Sequence, residues 1–406
     1  MQDLYTIPRR ILITSPRFIS EITQKEIESL GFSCRKEKDN AVSISGTLKD
    51  AMKLNLWLRT AHKVLFHLFT GEANDQDEFY TLLKNFEWEN WIQADGYISI
   101  SSAVHNDTIR DTRLPNLKAK DAIVDRLSEK NGQRPDSGPD TDKTVLFVYW
   151  NKSKVSVYVD TSGTPLNKRG YRHQPHKAPL QETLAAALIL TSDWDTSSHF
   201  VNPMCGSGTL AIEAFLIGTN TAPGLLRSNF GFQHILPYQE IVWNELVDEA
   251  KSKQKITTDG MIVASDKDPE AIAAAKANAE RAGVASHILF RVTDFRDSMI
   301  PVGKGTVMMN PEYGERLGDK SALEKVYGAI GAFFKRHCNG YRCFVVSSSK
   351  ELVSKIKMTP KETHRFLNAS LDVDLIGYDV FDKHEFDASK ASDKPKRKLR
   401  SRNKPD

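Results

Sequence analysis

The sequence predicts an α/β protein in which a doubly wound, Rossmann-like domain follows a mixed α/β front half. Three observations carry this. After Lys177, apolar runs of strand length alternate with amphipathic runs of helix length, the pattern of a parallel sheet covered on both faces. The stretch His199-Phe-Val-Asn-Pro-Met-Cys-Gly-Ser-Gly-Thr-Leu-Ala-Ile-Glu213 reads as a buried strand, a small-residue turn and a helix. Acids stand directly after two later strands, at Asp266 and Asp294.

In the front half, residues 10–14 form a strand and residues 18–30 an amphipathic helix (Ile19, Ile22, Ile27, Leu30) stopped by Gly31. Residues 41–45 alternate as a half-buried strand, residues 48–58 form a helix, and residues 64–69 a buried strand. A helix at 78–83, a strand at 97–101 and a helix at 117–127 with a basic entry (Lys118, Lys120) follow. Residues 130–143 are a loop, and 145–150 faces 154–159 as a hairpin. Residues 163–178 are poor in apolar side chains and rich in cations (Lys168, Arg169, Arg172, Lys177), so they read as a solvated linker or as a phosphate contact.

Later helices are expected at 179–190, 209–217, 269–282, 321–337 and 349–356, with strands at 199–202, 261–265, 288–292, 306–309 and 343–347 and a closing hairpin ending near Phe381. Residues 219–258 interrupt the alternation as a long insert. The expected organisation is a small N-terminal unit (1–50), a second α/β unit (51–162), a basic linker (163–178), the doubly wound domain (179–383) and a disordered basic tail (384–406).

A chain of 406 residues implies two or three domains. The net charge of +4 says little by itself, but residues 390–404 are dense in Lys and Arg. No apolar run is long enough to span a bilayer, and the first ten residues lack a signal-peptide core, so a cytoplasmic location is expected. The four cysteines are scattered without a Cys-x-x-Cys pair, and the histidines show no ligand spacing, so neither a disulfide framework nor a metal site is expected.

Gly206 and Gly208 allow φ > 0 and bring bare backbone to a ligand, and the helix behind them offers unpaired N–H groups and a positive dipole end. The turn lacks the Lys-Ser/Thr ending of a P-loop, which argues against a nucleoside triphosphate. Asp266, at the tip of the second strand, suits a ribose hydroxyl pair, while Asp268 before Pro269 suits a helix N-cap. Asp294 suits an adenine amino group, with Phe295 along the ring; a strand-end Asp opening a plain turn reads the same way. Asn310-Pro311-Glu312-Tyr313 follows the fourth strand. An Asn amide and a Pro carbonyl accept from an exocyclic amine and Tyr313 stacks on the base, although Asn-Pro also opens ordinary loops. Cys205 has no general base beside it in sequence and reads as a small turn residue.

The string Asn202-Pro203-Met-Cys205-Gly206-Ser-Gly208-Thr resembles motif I of S-adenosylmethionine (SAM) dependent methyltransferases, whose usual first residue is Asp. With residues 54–61 (LNLWLRTA), 118–126 (KAKDAIVDR), 168–172 (KRGYR), 178–187 (APLQETLAAA), 222–225 (APGL), 229–232 (NFGF) and 310–317 (NPEYGERL), the chain is similar over about 8–381 to the RlmL/YpsC-type family of bacterial rRNA guanine-N2 methyltransferases. Relatives also carry the older label of N6-adenine-specific DNA methylase.

The resemblance implies a ferredoxin-like piece, a THUMP RNA-binding domain and a class I SAM-dependent methyltransferase domain. It implies SAM held by Asn202, Pro203, Cys205, Gly206, Gly208, Asp266, Asp294 and Phe295, and guanine held by Asn310, Pro311 and Tyr313. RNA contacts are expected from Lys118, Lys120, Lys168, Arg169 and Arg172. Two positions depart from the family pattern: Asn202 for Asp and Glu312 for Pro. The expected activity is methylation of a guanosine N2 in 23S large-subunit rRNA. A tRNA guanosine or DNA adenine methyltransferase, and an RNA-binding assembly factor with a degenerate site, are the alternatives. If the basic tail meets phosphates, deleting residues after Asp387 weakens rRNA binding and flattens its salt dependence without changing the target base. An unchanged slope in binding titrations would leave the tail as solvated padding.

Overall fold

The computed structural model describes residues 2–106, 113–172, 180–312 and 320–381. The expectations for Lys177, the helix start at Pro179, Tyr313 and the tail from 384 to 406 lie outside the described residues.

The front half runs β1 (Arg9–Thr14), α1 (Ser20–Ser29), β2 (Cys34–Lys38), β3 (Ala41–Gly46), α2 (Leu48–Trp57), β4 (Lys63–Glu72), α3 (Gln76–Lys84), β5 (Tyr97–His105), α4 (Arg113–Asn131), β6 (Asp136–Ser137), β7 (Thr144–Asn151) and β8 (Lys154–Asp160). Alternation sets the faces: Ile11, Ile13, Phe66, Val157 and Val148 point into one core with the helices. Thr47 and Asp50 form a reciprocal capping box that starts α2. The strands make one sheet ordered β2-β3-β1-β4-β8-β7-β5-β6. The expected boundary at 50/51 therefore falls inside α2, and β4 joins the two units by pairing with both β1 and β8.

The second half runs α5 (Glu182–Thr191), β9 (His199–Pro203), α6 (Thr209–Gly218), α7 (Glu240–Ser252), β10 (Ile262–Asp266), α8 (Pro269–Arg281), β11 (Ile288–Val292), β12 (Gly305–Met309), α9 (Lys320–His337), β13 (Tyr341–Ser347), α10 (Lys350–Ser354), β14 (Glu362–Asn368) and β15 (Leu371–Val380). The sheet order is β11-β10-β9-β12-β13-β15-β14, with β15 antiparallel to both its neighbours. One apolar cluster, with α5, α6 and α8, covers one face and another, with α9, covers the other. The chain winds outward from β9 to β11, then returns to β12 on the other side of β9, so the strand order reverses between β9 and β12.

The 219–258 insert docks the halves. Its Ala222, Phe230, Phe232, Ile235, Leu246 and Ala250 belong to the core of the front half. Phe232 N–H donates to Thr161 O at 3.0 Å and Leu236 N–H to Trp91 O at 3.0 Å. Arg227 donates to the carbonyls of Ser162, Thr164, Pro165, Lys168 and Asn229. Burial, with Arg169 nearby, lowers its pKa to about 10.

Residues 163–172 are not a solvated linker, because Leu166, Arg169 and Tyr171 are buried. Arg169 is 1% exposed and meets Glu213 on α6 through two bonds of 3.2 Å, from Nε and Nη2. It also donates to Leu166 O (2.8 Å) and Arg59 O (2.6 Å), and Tyr171 donates to Glu213 at 3.1 Å. Arg172 pairs with Glu182 at 3.2 Å and donates to Leu180 O and to Thr209 Oγ1. Arg169 and Arg172 are thus corrected from phosphate contacts to seam residues whose donors point inward. Lys168 remains exposed. Lys118 and Lys120 make loose surface pairs, 3.4 Å from Asp77 and Asp121, and Lys118 also lies 5.9 Å from the Tyr80 ring centre; a phosphate displaces such pairs cheaply.

Replacing Glu213 with Ala leaves the Arg169 charge buried without its counter-ion. The expected loss is about 3–5 kcal/mol of unfolding free energy in denaturant titration. Unchanged stability would contradict the seam as described.

Candidate active site

β9 carries Asn202 and Pro203 to the carboxyl edge of the sheet, and the turn behind them is tightly wound. Met204, Gly206 and Gly208 have φ of 57°, 52° and 81°, three left-handed residues among five. Neighbours hold this conformation: Cys205 N–H donates to Ser265 O at 2.9 Å, and Asn278 Nδ2 to Ser207 O at 3.0 Å. A Cβ on Gly208 would stand 2.9 Å from Ala275 Cβ, so glycine lets α6 lie against α8. A Cβ on Gly206 would meet no atom of the described residues within 4 Å, so that side of the turn offers bare backbone to a ligand. α6 begins at Thr209, with its positive end toward the turn.

Asp266 closes β10 and is fixed by the turn it faces. Its Oδ2 accepts from Gly206 N–H at 3.0 Å and its Oδ1 from Asp268 N–H at 3.1 Å. Each oxygen keeps a further lone pair for a hydroxyl donor. Asp268 caps α8 with Pro269 in the first turn, as expected. Asp294 stands at the tip of β11, but Arg296 grips its carboxylate through Nε (2.7 Å) and Nη2 (3.0 Å). That guanidinium holds the Asp294 carboxyl below the usual carboxylate range. Phe295 is corrected: its ring packs edge-on against Phe333 at 6.0 Å, in the core with Val201 and Val307, not as a platform beside a ligand.

Asn202 is buried. Its Nδ2 donates to Met308 O at 2.8 Å, one step beyond the last backbone pair of β9 and β12, Val201 with Val307. The side chain thus continues the ladder where the strands part. Among the described residues its Oδ1 is buried without a hydrogen-bond partner, and so is Oδ1 of Asn310 at the end of β12. The two orphaned carbonyls flank the point of strand-order reversal. Pro311 is buried and Glu312 exposed. Tyr327 Oη lies 3.0 Å from Ser347 Oγ and 3.5 Å from Glu312 O, steadying the loop where the usual second proline is missing. Cys205 is buried, and burial together with the Asp266 charge pushes its thiol up, so it stays protonated as a turn residue.

Asn278 and Tyr327 escaped sequence reading. The only signal for Asn278 was a polar residue on the alanine face of α8, beside Ala271, Ala275 and Ala279. Among the described residues, no group of three His, Cys, Asp or Glu side chains is placed to hold a metal, and no helix is long and apolar enough to cross a membrane.

A parallel sheet with an antiparallel β15, a glycine turn at the reversal point and acids on the next two strand tips define a class I methyltransferase fold. The model of the RMKL-like methyltransferase domain matches residues 169–375, and the chain belongs to that family. Models of the RlmL ferredoxin-like domain and the THUMP domain match residues 10–65 and 73–160. The chain is 32% identical over 391 residues to a ribosomal RNA large subunit methyltransferase K/L of Syntrophotalea carbinolica, covering 94% of this chain and 55% of that protein. It is 33% identical to the same-named protein of Alteromonas mediterranea, covering 91% and 53%. The chain thus spans about half the length of these relatives. Among solved structures, a protein of Clostridium difficile 630 described as a methylase is 30% identical with TM-score 0.82, covering 92% of this chain and 99% of that one. A Listeria monocytogenes protein described as an N6-adenine-specific DNA methylase is also 30% identical with TM-score 0.82, covering 93% and 98%. A further neighbour, described as a methyltransferase and solved with SAH, is 27% identical with TM-score 0.82, covering 93% and 99%.

Asn202→Asp restores the usual motif residue but removes the donor to Met308 O. It is expected to destabilise the fold by about 1–3 kcal/mol in denaturant titration, the cost of a buried unpaired acceptor. Equal or higher stability would show that Asn202 does not hold β9 to β12.

Proposed function

We propose that the chain is a SAM-dependent methyltransferase that modifies the N2 amine of a guanosine in large-subunit rRNA. The observation that carries this is the pair of orphaned carbonyls, Asn202 Oδ1 and Asn310 Oδ1, on either side of the reversal point. A buried acceptor without a donor costs about 1–3 kcal/mol, and ligands with N–H groups relieve it. An α-ammonium beside the glycine turn and an exocyclic amine beside Asn310 are two such donors.

The residues fit SAM. The open backbone at Gly206 and the positive end of α6 suit its methionine carboxylate, Asn202 Oδ1 its ammonium, and the free lone pairs of Asp266 its ribose hydroxyls. SAM supplies a methyl group on a sulfonium, electrophilic enough that no covalent enzyme intermediate is needed. Asn202 is neutral, so it holds the ammonium by a hydrogen bond rather than an ion pair. Asp294 Oδ2, which accepts from Arg296 Nη2, keeps a further lone pair that would receive the adenine amine, and the Arg296 side chain, 64% exposed, has room to move aside.

Asn310 Oδ1 and the Pro311 carbonyl accept the two hydrogens of the base amine. That directs the nitrogen lone pair along the line of attack. The base leaves its stack to reach them, and Tyr313 follows in sequence to stack on it. Lys118, Lys120 and Lys168 supply phosphate contacts that position the RNA without reading bases. The names of the K/L relatives and the match to a THUMP domain support rRNA as the polymer. The Listeria neighbour's description keeps DNA adenine as a second reading, since both amines suit the same acceptors.

The test is label transfer from SAM to separate pools of rRNA, tRNA and DNA, with the wild type and Asn310→Ala. Label is expected in large-subunit rRNA, and the variant should be slower by about 100-fold or more, a typical cost for losing one polar group aimed at the reacting centre. Label in DNA alone selects the second reading, and no label in any pool, with the chain folded, refutes the proposal.

A further inference from the structure

Helices α1 to α4 pack on one face of the front sheet. The other face has a different composition. Its strand registers set Ser45 beside Arg10, His67 beside Tyr158, Tyr158 beside Phe147, and Phe147 beside Ser101. The His67 and Tyr158 rings lie 5.3 Å apart, and Tyr158 and Phe147 6.3 Å apart. Tyr149 lies one pair further along β7, with the His105 ring 5.9 Å away. Tyr158 is almost fully buried and backs the row, whereas His67, Phe147 and Tyr149 are half-exposed.

This face is concave. β2 and β7 are five strands apart, which in a flat sheet is roughly 24 Å. Yet Lys38 Nζ, at the end of β2, lies 3.4 Å from Tyr149 Oη and 5.5 Å from its ring centre. The sheet therefore curls around the aromatic row. Cations stand along the groove: Arg10, held 2.9 Å from Glu37, Lys38, and Lys154 on the same side of β8 as Tyr158. Burial first, then the charges of Arg10, Arg9 and Lys154, disfavour the charged form of His67.

We propose that this groove binds single-stranded RNA, with unpaired bases against His67, Phe147 and Tyr149 and phosphates near Arg10, Lys38 and Lys154. Half-exposed rings accept a base face of any sequence, and cations beside them neutralise the backbone, the two requirements of single-strand binding. The inference rests on the RNA reading above and deepens it: the front half holds an unpaired stretch of the substrate apart from the target base.

The experiment is fluorescence anisotropy of the full chain with labelled oligo(U), oligo(A) and an RNA duplex of equal length, at several salt concentrations. The single strands are expected to bind at least about tenfold more tightly than the duplex. Phe147→Leu, which keeps apolar bulk but removes the ring face, should weaken single-strand binding by about tenfold, and Phe147→Tyr should retain it. Arg10→Gln should reduce the salt slope by about one. Circular dichroism melting establishes that each variant is folded. Equal affinity for duplex and single strand, or unchanged affinity in folded Phe147→Leu, overturns the proposal. Label transfer is a separate readout: oligonucleotide binding as described, with no RNA pool accepting methyl, would sink the functional reading and leave the groove standing.

Discussion

The buried pair of Arg169 and Glu213 is the constraint on which the rest of the molecule depends. Glu213 lies on α6, the helix that starts at the glycine turn, and Arg169 donates across the seam to Arg59 O in the front half. Two charges withdrawn from water contribute little net stability, but each makes the other indispensable. They therefore act mainly to fix geometry. Arg172 extends the tie to Thr209, the first residue of α6. On the front side, Glu26 accepts from the backbone N–H groups of Arg59 and Thr60 at 3.0 Å, and burial raises its carboxyl pKa. The front half and the turn are thereby held in one relative position, which suits the proposed presentation of an RNA to a small cofactor.

Just ahead of α6, where β9 runs into the glycine turn, strand order and side-chain chemistry meet. The reversal between β9 and β12 opens a crevice, and an open crevice leaves backbone groups unpaired. Asn202 solves both halves of that problem. Its amide nitrogen closes the ladder onto Met308 O, while its amide oxygen stays available to a ligand. An aspartate has no donor for the first task. The departure from the usual motif therefore has a structural reason in this chain, and it replaces a charge with a hydrogen bond at the expected ammonium site. Glu312 is similar: the loop loses proline's stiffness, and Tyr327 with Ser347 stands behind it.

Much of this was legible in the sequence. The glycine turn, the acids at 266 and 294 and the Asn310 loop are local patterns at strand tips, and local patterns survive folding. β2 was not legible, because Cys34-Arg-Lys-Glu-Lys38 is an edge strand whose charges blunt the edge instead of filling a core. The cations at 169 and 172 misled because burial of an arginine is decided by a partner far away in sequence, here Glu213 and Glu182. Phe295 misled because its neighbour Asp294 marks a strand tip without fixing which way the next ring turns. The insert at 219–258 read as an interruption, and its apolar residues became interpretable only against the front-half core they complete.

In the proposed function this geometry serves N2 methylation of a guanosine in large-subunit rRNA. The most direct measurement is mass-spectrometric mapping of rRNA modifications in a strain lacking the gene. One guanosine of the large-subunit rRNA is expected to lose its N2 methyl group in that strain and to regain it when the wild-type chain is restored, but not with Asn310→Ala. An unchanged large-subunit rRNA modification profile would contradict that function.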